Sequence, residues 1–84
     1  MTKHAKTLER VLRGTADRSV RFRDLTALLK RLGFEERVRG DHHIFTRDGV
    51  DEIINLQAKG SLSKPYHVKQ VRQLILKYRL GDAL

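Results

Sequence analysis

The apolar residues of this chain change their spacing twice, and that change limits the fold more than any composition figure does. From Phe22 to Gly33, the residues Phe22, Leu25, Leu28, Leu29 and Leu32 recur at three- and four-residue steps, the signature of one helix face, and Gly33 supplies a C-terminal exit. Upstream, Leu8, Val11 and Leu12 mark a shorter helix face between Ala5 and Arg13, stopped by Gly14, and GTADRS follows as a loop. Beyond Gly33 the helical period disappears. Three short runs, FEERVR, HHIFT and EIINLQ, are separated by Gly40-Asp41 and by Arg47-Asp48-Gly49, residues that favour tight turns. They predict consecutive antiparallel strands. The segment AKGSLSKP reads as a mobile basic loop ending in the only proline. From Tyr66 to Leu80 helical spacing returns through Val68, Val71, Leu74, Ile75 and Tyr78, with Pro65 well placed for a helix start.

The order is a preliminary helix followed by α-β-β-β-α. Strands joined by tight turns form a meander, and two helices with apolar stripes can cover one face of it, which predicts an α+β two-layer sandwich. The second face is expected to stay open and, being rich in Arg and His, to offer a platform for nucleic acid. At 84 residues there is room for one domain with a small core, since a chain of this size buries only about 60% of its unfolded surface. A hydrophobic content of 39% is sufficient for such a core.

Several chemistries are excluded at once. With no cysteine, the chain has no disulfide framework, no thiolate metal site and no cysteine nucleophile. It holds no apolar run able to span a bilayer and no hydrophobic segment suited to a signal peptide, so a soluble, cytoplasmic protein is expected. No phosphate-binding glycine pattern, dinucleotide fingerprint or zinc-finger spacing occurs. The 18 Lys and Arg outnumber the 10 Asp and Glu, for a formal net charge of +8. Such an excess favours a polyanionic partner, nucleic acid before an acidic protein or an anionic membrane.

The stretch RVRGDHHIFTRDG then sets the main question. Adjacent residues of a strand point to opposite faces, so His42 groups with Ile44 and His43 with Phe45, and the two cannot easily share one metal ion. His4 and His67 lie in distant elements without ligand spacing, and a zinc site is therefore set aside. The ordinary reading makes both histidines plain strand residues, one half-buried and one solvated. The sharper reading makes one of them a general acid/base, because imidazole is the side chain whose unperturbed pKa lies between pH 5 and 8. It can accept a proton from a ribose 2′-OH, while Arg37, Arg39 and Arg47 are near enough in sequence to be candidates for holding a phosphate.

From Phe22 to Leu80, the succession of helix, LGF, strand, GDHHIF, a strand with INLQ and then KPYHVKQVR resembles the HicA family of bacterial toxins, the mRNA interferases of HicA–HicB toxin–antitoxin pairs. The resemblance implies an α-β-β-β-α domain similar to double-stranded-RNA-binding domains at residues 21–84, with residues 1–20 as an N-terminal helical extension outside the family pattern. It implies a metal-independent endoribonuclease with no cofactor. Carried to this chain, the catalytic histidine is His43, Gly40 and Asp41 position its strand, and His42 supports it. A HicB-like antitoxin that covers the active face is the implied protein partner, and single-stranded mRNA the implied substrate. Many members have Ser in place of Asp41; a carboxylate there can orient a neighbouring histidine or repel phosphate.

Arg37, Arg39, Lys64 and Lys69 are the expected RNA-binding residues, with Lys59 and Arg72 in the same basic cluster. For any one of them, a solvated surface position is the plainer explanation. Asn55 and Gln57 can read base edges or cap the strand, and Tyr66 and Phe45 can stack on a base or fill the core. The alternative function is a non-catalytic RNA-binding module of the same fold. A third is a degenerate toxin that persists as a protein-binding partner.

Overall fold

Helix α1 (Lys3–Arg13) starts at Thr2, whose hydroxyl accepts the Ala5 backbone N–H at 3.1 Å. The computed structural model describes residues 2–84. Leu8 and Val11 are buried as the spacing predicts, but Leu12 remains 37% exposed. The buried stripe of α1 runs instead through Thr7, whose hydroxyl is satisfied by the Lys3 carbonyl at 3.1 Å. One 3-10 turn at Asp17–Ser19 leads to helix α2 (Phe22–Arg31), and Gly33 turns the chain into the sheet.

Strands β1 (Glu35–Arg39), β2 (His42–Arg47) and β3 (Val50–Leu56) form an antiparallel sheet in the order β1-β2-β3. Helix α3 (Pro65–Tyr78) carries Pro65 in its first turn, where a missing N–H costs nothing. The chain is thus an α+β fold of three helices and a three-stranded antiparallel sheet, compatible with an α-β-β-β-α arrangement preceded by one more helix. No helix among the described residues is long and apolar enough to cross a membrane.

The segment AKGSLSKP is not the free loop that its composition predicts. It folds into a small hairpin of β4 (Ala58–Lys59) and β5 (Leu62–Ser63), turned at Gly60 with φ +62°. Its backbone is tied to the start of α2: the Phe22 N–H donates to the Ser61 carbonyl at 3.0 Å, and the Ser63 N–H to the Val20 carbonyl at 2.9 Å. Two-residue strands are too short to show a period, and what stabilises them is this distant pairing.

Alternation along the strands sorts the sheet into two faces. Phe45, Ile54 and Leu56 are fully buried in one core with Leu25, Leu28 and Leu29 of α2 and Val68 and Val71 of α3. Leu8 and Val11 of α1 belong to that same core, so the N-terminal extension packs as part of the domain. Its seam is closed by Arg72, whose guanidinium pairs with both oxygens of Asp17 at 2.9 and 3.1 Å and donates to the Val11 carbonyl at 3.1 Å. Arg72 is therefore a structural clamp, neither a solvated surface residue nor a free phosphate contact: a guanidinium with three hydrogen bonds and 17% exposure is already engaged.

Candidate functional site

The turn Gly40-Asp41 joins β1 to β2 and presents the two histidines at the strand's first positions. Gly40 takes φ +58°, a left-handed conformation that favours glycine, and a Cβ there would meet nothing within 4 Å. Conformation, and not crowding, explains the residue. Cross-strand register then fixes both imidazoles: His42 is opposite Arg39, and His43 lies between Val38 on β1 and Leu56 on β3.

His43 points to the helix side of the sheet, at the margin of the core. Its ring packs edge-on against Phe22 with centroids 4.9 Å apart, and its Nδ1 lies 2.7 Å from Oε2 of Glu36. Glu36 faces Phe45 across the strands and so reaches His43 on the diagonal. The other carboxylate oxygen of Glu36 meets Lys30 Nζ at 2.8 Å. The Lys30 hydrogen bond first, and the His43 hydrogen bond second, hold the Glu36 carboxyl below its ordinary value. An ionised carboxylate only accepts, so the proton on the His43 ring facing it sits on Nδ1. Nε2 has no hydrogen-bond partner among the described residues and is not among the fully buried unpartnered atoms. The side chain retains 27% exposure.

His42 points the other way and is 51% exposed. Its Nδ1 is 3.1 Å from Oδ1 of Asn55, and its Nε2 is 3.8 Å from Oδ1 of Asp41. Asp41 accepts from Gln57 Nε2 at 2.6 Å, and Gln57 accepts in turn from Lys64 Nζ at 3.1 Å. The Gln57 hydrogen bond is the main reason that the Asp41 carboxyl lies below its usual range. This polar chain links the Gly40-Asp41 turn to the start of α3, and within it the Asp41 carboxylate neighbours His42.

The structure therefore separates residues that the sequence grouped. Arg37 pairs with Ile44 and Arg39 with His42, which puts both arginines on the open face with the exposed Ile53, away from His43. Strand parity, which the apolar pair Ile44 and Phe45 leaves ambiguous in sequence, sends His43 to the helix side and leaves His42 on the open face. Lys64 joins the Asp41 end of the network, and Lys69 stands exposed on α3. Phe45 is buried and not a stacking platform, whereas Tyr66 is 63% exposed and lies 4.3 Å from the His67 ring. His67 itself is a core residue whose pKa is lowered, first by burial and then by Lys64.

Sequence reasoning missed Glu36 and Phe22 as neighbours of His43, and Lys30 as the partner of Glu36. The only signal was the parity of Glu36 within FEERVR, usable once the register of β1 on β2 is known. Among the described residues no three His, Asp or Glu side chains converge as a metal-ligand set. No family model, curated protein or solved structure matches the chain.

Proposed function

We infer that the protein is a HicA-like toxin, a metal-independent endoribonuclease that acts on single-stranded mRNA with His43 as general acid/base. The observation that carries this reading is the Glu36–His43 pair, with Nδ1 held at 2.7 Å in a side chain that keeps 27% exposure. An imidazole fixed in that tautomer is a base poised at Nε2. The 2′-OH proton passes to Nε2 as the 2′-oxygen attacks phosphorus, and the P–O5′ bond breaks. The imidazolium, directly or through water, returns a proton to the leaving 5′-oxygen. The products are a 2′,3′-cyclic phosphate and a 5′-hydroxyl. Glu36 stabilises the imidazolium that forms between these steps, as a carboxylate partner does for other catalytic histidines.

A HicB-like antitoxin is the corresponding partner, and a cytoplasmic location fits a nuclease directed at mRNA. The net charge of +8 supports RNA as the ligand. One observation favours the rival reading, a non-catalytic RNA-binding module: Arg37 and Arg39 do not share a face with His43, so they cannot steady the phosphate it would act on.

The test is cleavage of end-labelled single-stranded RNA in EDTA by the wild-type chain, His43→Ala and His42→Ala, with product ends identified. Cyclic-phosphate ends that vanish only with His43→Ala support the nuclease centred on that residue. Intact RNA with every protein, together with a gel shift, supports the binding module. Cleavage lost only with His42→Ala would move the chemistry to the open face.

A further inference from the structure

Between α1 and the segment that enters α2 lies a groove of about 230 Å³ whose walls include Lys3, Lys6, Arg10, Ser19, Arg21 and Asp24. Four cations face one carboxylate. Asp24 is engaged with Lys3 at 3.3 Å, and Arg10 reaches the Ser19 hydroxyl at 3.4 Å. Lys6, Arg10 and Arg21 are all exposed.

This arrangement opposes the stability of the helix that carries it. Lys6 and Arg10 are four residues apart on α1, a spacing at which like charges repel. The first turn of α1 contains no acidic residue, and Lys3 stands at the positive end of the helix dipole, where a cation is unfavourable. A polyanion in the groove would relieve both penalties. Arg21 lines the groove, and the next residue, Phe22, packs on the His43 ring.

We propose that this groove is the track for the sugar-phosphate backbone of single-stranded RNA, with Lys6, Arg10 and Arg21 as its phosphate contacts. Lys6 and Arg10 lie about 6 Å apart along the helix axis at 1.5 Å per residue, with Arg21 on the other wall of the groove. The strand then leaves the groove beside Phe22 and reaches His43 from the helix side, not across Arg37 and Arg39. Its direction toward His43 rests on the ribonuclease reading; binding in the groove does not.

The experiment measures affinity for a short 2′-O-methyl oligouridine, which cannot be cleaved through a 2′-OH, as a function of salt. The proteins compared are the wild-type chain, Lys6→Gln/Arg10→Gln/Arg21→Gln and Arg37→Gln/Arg39→Gln, each first shown to melt normally. Single strands contribute a log-log salt slope of about 0.7 per phosphate neutralised, so the groove variant should lose about 2 from the slope and bind roughly 100-fold more weakly at about 0.1 M salt. The open-face variant should retain the wild-type slope. An unchanged slope in the groove variant, the result expected if an acidic protein is the true occupant, would overturn the proposal, as would a loss confined to Arg37→Gln/Arg39→Gln. Groove-dependent binding without cleavage of ordinary RNA would sink the nuclease reading alone.

Discussion

Ile44 and Phe45 are consecutive and both apolar, yet Phe45 is fully buried beneath the helices while Ile44 is only half-buried on the open face. The same one-residue step separates His42 from His43. On the open side an imidazole meets Asn55 and Asp41 in solvent; on the helix side it is gripped by Phe22 and Glu36. Neighbours along a strand share a sequence motif but not an environment, so the two halves of a His-His pair have to be judged face by face.

The largest effect that sharpens this contrast is on stability. Phe45→Ala should cost about 3–5 kcal/mol by chemical denaturation, since it removes the aromatic centre of the core, while Ile53→Thr on the 63% exposed position should change stability by less than about 0.5 kcal/mol. Similar losses at the two sites would mean that both faces are packed. Next comes activity: on the ribonuclease reading, His43→Ala should slow RNA cleavage by about 10²–10⁴, the range of general acid–base catalysis, with His42→Ala close to wild type. The reverse order would break the comparison.

A smaller effect follows from acid. The folded Glu36 carboxyl lies below its ordinary value of 4.5, so it contributes stability above that value and loses it as pH falls through its lowered folded value. In Glu36→Gln that contribution is gone. The gap in melting temperature between wild type and variant should therefore be widest near neutral pH and close on acidification, and a gap that grows toward low pH would show that Glu36 is not held ionised by Lys30 and His43. Smallest is Asp41→Ser. The carboxylate is exposed and its partner is Gln57, so the melting temperature should hardly move, and on the ribonuclease reading cleavage should be little altered because His42, not His43, is its neighbour. A large drop in cleavage would tie the turn to the helix side after all.

The helices and the meander could be read from spacing because each buries one continuous face. Leu25, Leu28, Leu29 and Leu32 are buried as their stripe predicts, and the three strands begin and end within two residues of the runs that announce them. Leu12 shows where such reading stops: it belongs to the stripe of α1 by spacing, but nothing packs over it closely enough to bury it. The hairpin at residues 58–63 was invisible for another reason, since its hydrogen bonds go to Val20 and Phe22, some forty residues away.

The candidate site divides along the same line. Local sequence determined that His42 and His43 stand on opposite faces, because a strand alternates whatever surrounds it, and it determined that Gly40 can make the turn before them. Which face the helices cover, and hence which histidine meets Glu36 and Phe22, was decided only when α2 and α3 closed over Phe45, Ile54 and Leu56. With Ile44 and Phe45 both apolar, hydrophobicity alone leaves the parity of β2 degenerate. The packing of one aromatic side chain into the shared core resolves it, and carries His43 to the helix side.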